Sequence, residues 1–266
     1  MARQLARSLR TLLARSVDYA GMFPPASLAV ELAAANFRAY SGSDFGWMLR
    51  RFVISPALLN HPAVELLARA PAPSDLNGVF AVVSDNDHVA ASSIESKVVL
   101  ALGKPTYCEV PEDQLYEVMC VGSFAKIRTG GVTPESIPTS DYVASFIHAC
   151  ARHRIAFKAT AGLHHPLRSV QPLTYEADSP RATLHGFINI LLASAFACNG
   201  AEVALIRDVL NETDSAAFGF DDTRASWRGQ ELAILALKNA RKDFIHSFGS
   251  CSFTDPVDGL RELNWL

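Results

Sequence analysis

Short β-rich runs alternate with helical runs from Arg50 to the C-terminus, and this alternation limits the fold more than any other feature of the chain. The runs are RFVIS (51–55), GVFAVVS (78–84), TYCEV (106–110), SFAKIRT (123–129), IAFKATA (155–161), EVALI (202–206), AFGF (217–220) and DFIHSF (243–248). Helices are expected between them, over 184–198 and 228–241 among others. Such a chain builds a parallel sheet of seven or eight strands, depending on whether EVALI is a strand or the start of a helix. Closure into a (β/α)8 TIM-type barrel is favoured because 266 residues is near the roughly 250 typical of that fold. The strand–G-x-G-x-x-G–helix signature of an open dinucleotide-binding sheet is also missing. Helix-like stretches over 4–16 and 27–40, joined by DYAGMFPPAS, make residues 1–45 a helical N-terminal extension and loop, a candidate lid or plug. With no compositional break, residues 1–266 read as one domain.

Composition removes several partners. The chain is 49% apolar and 19% charged with a net charge of −3, so it has no basic or acidic tail and nucleic acid is not expected. No apolar run approaches the roughly 18 residues of a membrane span. The N-terminal MARQLARSLRTLLARS lacks the apolar core of a signal peptide and reads as a solvated first helix. Five cysteines with no C-x-x-C pair signal neither a disulfide framework nor a zinc knuckle, which suggests reduced thiols in the cytoplasm. Exposed apolar helices would support a homodimer.

In a barrel, the strand C-termini carry the chemistry. Polar residues collect there: Ser84 and Asp85, Glu109, Lys126 with Arg128 and Thr129, Lys158 with Thr160, and Ser247, Ser250 and Ser252. Lys126 and Arg128 are two residues apart and share a face, as do Lys158 and Thr160. A single strand-end lysine points outward as readily as inward, but two on neighbouring strands, each followed by glycine, favour the interior. A buried lysine near a second cation has a lowered pKa, and its neutral amine can attack a carbonyl to form a Schiff base.

The run FKATAG resembles the Phe-x-Lys-Thr-Ser-Thr-Gly strand of deoxyribose-phosphate aldolases, which are class I (Schiff-base) aldolase barrels, with Lys158 and Gly162 at the matching spacing. AKIRTGGV resembles the Lys-x-x-Gly-Gly strand of the second lysine in that family, with Lys126 displaced by one residue. The resemblance covers about a dozen residues and implies a lyase with Lys158 as nucleophile and Lys126 as the neighbour that lowers its pKa.

Other residues fill supporting roles. Gly130 and Gly131 offer backbone amides to an anion beside Arg128 and Thr129, and Ser247, Gly249, Ser250 and Ser252 form a second anion candidate. Arg168 is a further cation for a carboxylate or phosphate. His164 and His165 precede Pro166, which bars a regular helix through them, so one can face the site and shuttle a proton. Glu109 is an acid/base or orients Lys126. Residues 166–183 lack periodicity and read as a lid or binding loop leading to His185 and Asn189, which share a helix face. Asp18 and Tyr19 read as part of a packing loop, and FGFDDTRASW (218–227) as a surface hairpin.

The expected function is an enzyme acting on a small anionic carbonyl compound or phosphorylated metabolite, a carbon–carbon lyase without cofactor or metal. One alternative is a metal-dependent lyase, isomerase or hydrolase using His164, His165 and His185 with Glu109 or Asp85, although no H-x-H or H-E-x-x-H spacing is present. The other is a non-catalytic ligand-binding barrel. No G-x-S-x-G elbow or Walker loop supports hydrolase or nucleotide chemistry.

Overall fold

The computed structural model of the protein describes residues 5–68 and 78–266. Seven parallel strands run side by side: β1 (Val17–Tyr19), β2 (Leu49–Ile54), β3 (Phe80–Val83), β4 (Ser93–Ser96), β5 (Thr106–Glu109), β6 (Phe124–Arg128) and β7 (Phe157–Thr160). After two small antiparallel sheets, β8 (Ser169–Pro172) with β9 (Arg181–Leu184) and β10 (Phe218–Phe220) with β11 (Arg224–Trp227) and β12 (Gln230–Ala233), the strand β13 (Ile245–Ser250) fills the gap between β7 and β1. The result is a closed eight-stranded parallel barrel, a (β/α)8 fold.

The helices are α1 (Arg7–Leu13), α2 (Val30–Ser41), α3 (Pro62–Ala68), α4 (Leu115–Cys120), α5 (Ser140–His153), α6 (Phe187–Cys198), α7 (Val203–Asn211), α8 (Ile234–Asp243) and α9 (Thr254–Glu262). Residues 84–92 and 97–105 join β3 to β4 and β4 to β5 without a helix.

Two barrel strands differ from those expected. EVALI lies in α7, where Ile206, Val209 and Leu210 form a buried stripe at helical spacing. AFGF supplies β10, and its continuation folds back as the expected surface hairpin, extended by β12. Their places in the barrel are taken by β1 and β4. Neither carries an apolar run: β1 is three residues long, and β4 reads Ser-Ile-Glu-Ser. The expected extension is correspondingly shorter, since among the described residues only α1 precedes the barrel while β1 and α2 form its first unit. The helix expected over 228–241 begins at Ile234 because residues 230–233 pair in β12.

The apolar core lies between the outer face of the barrel and the helices. Phe52, Ile54, Phe80, Val82, Ile94, Ile127, Phe157 and Phe248 point outward into it. Helix α6 is buried at every residue from Phe187 to Ala197, and Phe187 stacks on Phe248 with ring centroids 4.9 Å apart. Because strand side chains alternate, the other set from the same strands lines the interior.

Among the described residues, no helix is long and apolar enough to cross a membrane.

Candidate active site

Barrel interiors are normally packed with layers of branched aliphatic side chains, and this one is charged. Asp18 on β1, Glu95 on β4, Lys126 on β6 and Lys158 on β7 are all buried. Glu109, Lys126 and Lys158 are lateral neighbours in the strand register, so alternation turns all three toward the barrel axis at one level. Burying charges costs several kcal/mol each unless they are paired and hydrogen-bonded.

Here they are paired. Lys158 Nζ donates to Asp18 Oδ2 and to Glu95 Oε1, both at 2.5 Å. The other oxygen of Glu95 accepts from Lys126 Nζ at 3.0 Å, and Lys126 also pairs with Glu109 at 2.9 Å. Glu95 thus bridges the two lysines. Asp18 Oδ2 additionally accepts from Ser247 Oγ at 2.7 Å, and Arg50 donates to Ser247 at 2.9 Å. Below this layer, Arg50 donates to the Tyr107 hydroxyl at 3.4 Å, and that hydroxyl pairs with His246 Nδ1 at 2.8 Å.

The pKa values follow from this pairing. Burial alone would raise Asp18, but Lys158, Arg50 and Arg51 outweigh it and hold the carboxyl at about 2. Glu95 is likewise lowered to about 2, against burial, by Lys158 and Lys126. Burial disfavours the Lys126 ammonium, and Glu95 and Glu109 more than restore it, so its pKa is raised. Burial, with Arg50, Arg241 and Arg51 nearby, drives His246 from 6.5 down to about 3.

The three lowered pKa values act on stability in the same direction. His246 stays neutral in the fold but takes a proton when unfolded below about 6.5, so its contribution is lost as pH falls from about 6.5 to about 3. Asp18 and Glu95 contribute fully above their unfolded values near 4, and that contribution is lost as pH falls to about 2. Stability in urea titrations is therefore expected to decline continuously below pH 6.5. His246→Asn should flatten the stretch between pH 6.5 and 4.5 while leaving the lower limb; an unchanged upper limb would contradict this assignment.

Above the charged layer, a cavity of about 460 Å³ opens at the C-terminal face of the barrel. Lys126, Glu95 and Glu109 lie in its floor. Thr160, Arg128 and Lys97 line its polar side, and Val53 and Val83 its apolar side. The cavity is roofed by Ala20, Phe23, Pro24 and Pro25, in the segment expected to act as lid or plug, and by Gln171 to Tyr175 from the β8–β9 hairpin.

Glycines let the strand ends meet beside this floor. Gly162 has φ +75°, and a Cβ there would lie 3.2 Å from Gly130 Cα. Gly162→Ala is expected to cost about 1–3 kcal/mol, from the left-handed backbone and the backbone contact together. Thermal unfolding measures this, and an unchanged midpoint would refute it.

Of the residues expected from sequence, the structure gathers Lys126, Glu109, Arg128, Gly131, Thr160, His164, His165 and Gly249 around the cavity. Lys158 and Ser247 lie deeper in the same network. Arg168, His185 and Asn189 do not reach it. Arg168 Nη1 meets His185 Nδ1 at 3.3 Å, His185 Nε2 meets the Pro138 carbonyl at 2.9 Å, and Asn189 ties the Arg168 amide to the carbonyls of Val209 and Glu212. These three brace the chain leading into α6.

Thr129 is buried and donates to the carbonyls of Thr160 and Ala161, while Gly130 serves the approach to Gly162. Ser250 Oγ accepts from the Ser252 amide, and Ser252 Oγ from the Asp255 amide, so both make local turn contacts. The ligand set considered for a metal is also dispersed. His185 is engaged as described, and Asp85 accepts from Ser96 Oγ and the Lys97 amide. No group of three His, Cys, Asp or Glu able to hold a metal ion occurs among the described residues.

Sequence reasoning missed Glu95 and assigned Asp18 to packing. Both sit on the two strands without an apolar run, where alternation has too few residues to register. It also passed over Cys251, Tyr175 and Asp255, which line the cavity around His164.

Fold and site together define a (β/α)8 barrel whose mouth opens onto a buried lysine–carboxylate network. Comparison with known proteins adds no relative: no family model, no curated protein and no solved structure matches the chain.

Proposed function

We propose that the protein is a carbon–carbon lyase of the class I aldolase type, acting on a small carbonyl compound that carries a carboxylate or phosphate, with Lys126 as the Schiff-base nucleophile. One observation carries this reading: an amine lies in the floor of a substrate-sized cavity at the barrel mouth, between two carboxylates, with a second amine beside it. The resemblance to deoxyribose-phosphate aldolases implies Lys158 in that role. Depth supports exchanging the two, because Lys126 lines the cavity whereas Lys158 is 1% exposed and held by Asp18 and Glu95.

At rest Lys126 is an ammonium between Glu95 and Glu109. When a carbonyl carbon approaches, Glu109, the more accessible carboxylate, takes a proton from Nζ and the freed amine attacks. The carbinolamine loses its former carbonyl oxygen as water, using protons returned by Glu109, and an iminium remains. The iminium carries the same single positive charge on the same nitrogen. The carboxylates that stabilised the ammonium therefore stabilise the intermediate without rearrangement, which is the preorganisation catalysis requires.

Removal of the proton from a β-hydroxyl by Glu109 then breaks the bond between the α and β carbons, with the electron pair entering the iminium to give an enamine. Protonation at carbon and hydrolysis release the second product and regenerate Lys126. His165 lines the cavity, and burial followed by the neighbouring His164 lowers its pKa, so it is a neutral imidazole suited to moving these protons. Lys158 holds Glu95 and Asp18 ionised, and Arg128 with Lys97 suits the anionic end of the substrate.

Borohydride reduction tests this. Incubation with glyceraldehyde phosphate, acetaldehyde, pyruvate and related keto acids, followed by reduction, is expected to add one substrate-derived mass per chain with at least one of them. A ligand-binding barrel would bind such compounds without any reducible adduct.

A further inference from the structure

The same cavity carries a second constellation that the lysine chemistry does not use. Cys251, immediately after β13, places Sγ 3.5 Å from His164 Nε2. The other nitrogen of that ring, Nδ1, meets Asp255 Oδ2 at 3.0 Å. Tyr175 OH donates to Asp255 Oδ2 at 3.2 Å and lies 3.8 Å from Cys251 Sγ. Asp255 is itself fixed, since its amide donates to Ser252 Oγ at the start of α9. The four side chains come from the loop after β7, the β8–β9 hairpin, the end of β13 and α9, and all four line the cavity.

The other cysteines have no such setting. Cys108 and Cys150 are packed in the apolar core, and Cys120 and Cys198 are exposed. Cys251 is buried outside that core, against an imidazole and a phenol. A nucleophile, a base within hydrogen-bond reach and a carboxylate that orients the base is the arrangement used for covalent catalysis at acyl carbons.

We propose that Cys251 is a second nucleophile of this cavity, a thiol that takes acyl groups from small esters or thioesters, with His164 as its acid–base partner and Asp255 positioning the ring. With their shared proton on Nε2, Sγ attacks the acyl carbonyl carbon and forms a C–S bond. The tetrahedral adduct then expels the alkoxide or thiolate, which leaves with the proton from Nε2. His164 next takes a proton from water as that water attacks the thioester carbon, releasing the carboxylic acid and returning the proton to the Cys251–His164 pair. No oxidant or cofactor enters. Burial works against the His164 imidazolium, but Asp255 and Cys251 outweigh it and raise its pKa to about 9, which keeps a proton at Nε2 for the leaving group.

This activity is independent of Lys126, and its test is too. The full-length protein treated with p-nitrophenyl acetate is expected to release a burst of about one p-nitrophenolate per chain, with the acetyl group mapped by peptide mass spectrometry to Cys251. His164→Ala should slow acetylation and iodoacetamide alkylation of Cys251 by at least about 100-fold at pH 7, with alkylation of exposed Cys120 unchanged as the internal reference. Because alkylation of the unaltered protein is read at both cysteines, the test does not depend on the folding of a Cys251 variant. Acetyl groups found only on lysines or exposed cysteines would overturn the proposal. So would Cys251 alkylation no faster than that of Cys120, or unaffected by loss of His164.

Discussion

Lys126→Met is expected to remove the reducible adduct altogether and to lower turnover by at least about 10³-fold, since nothing else in the cavity floor can form an iminium. The thioether is close to lysine in volume and leaves the interior filled. The fold survives because Glu95 keeps Lys158, and Glu109 faces the cavity with 23% of its side chain exposed. Lys126→Arg separates charge from covalency. The guanidinium stays protonated, so it preserves the ion pairs with Glu95 and Glu109 but cannot attack a carbonyl. An Arg variant that folds like the parent and forms no adduct assigns the loss to the nucleophile. Residual turnover within about tenfold of the parent in either variant would contradict the role given to Lys126.

Lys158→Ala has the largest expected effect on stability. It leaves Asp18 and Glu95 buried and facing one another without the cation that both contact. Breaking a buried ion pair by removing one partner costs about 3–5 kcal/mol, a large part of the roughly 5–15 kcal/mol that separates most folded domains from their unfolded chains. The unfolding midpoint is expected to fall by on the order of 10 °C.

The pH dependence identifies the cause. Without Lys158 both carboxyls lose the cation that lowers their pKa most, while Arg50 still faces Asp18 and Lys126 still pairs with Glu95, so the variant's deficit relative to the parent shrinks as pH falls toward the parent's folded values. A cavity effect alone would produce a pH-independent loss. The simple contrast of an inactive but intact Lys158 variant, natural for a cavity-floor nucleophile, therefore does not apply to this residue. An alanine variant as stable as the parent would contradict the network.

The lysines were legible because the seven-residue runs SFAKIRT and IAFKATA that contain β6 and β7 are long and apolar enough for alternation to show which residues share a face, and because two cations on adjacent strands are costly to bury without purpose. The barrel itself was legible from the spacing of apolar runs, although EVALI and AFGF occupied places that belong to β1 and β4. Strands of three or four residues with one or two apolar side chains carry almost no periodic signal. Asp18 and Glu95, the carboxylates that organise the whole interior, lie on those strands, so the charge balance of the site was hidden even though both cations were visible.

Local spacing misled in the opposite direction at His185 and Asn189. The i, i+4 spacing suggested a shared helix face, but α6 begins only at Phe187, so His185 lies before it against the Pro138 carbonyl while Asn189 turns to backbone carbonyls rather than the cavity. The Cys251–His164–Asp255 cluster had no sequence signature because its members are brought together by closure of the barrel across about ninety residues. Asp255 sits four residues after Cys251, and that short interval was the one local hint.

Peptide mapping of the borohydride-reduced adduct decides between the two lysines. One modified residue per chain is expected, Lys126, with Lys158 and the exposed lysines unmodified. Modification of Lys158 would return the nucleophile to the deeper lysine and contradict the assignment by depth. A protein that binds the carbonyl compounds yet yields no reducible adduct would contradict Schiff-base chemistry in this barrel.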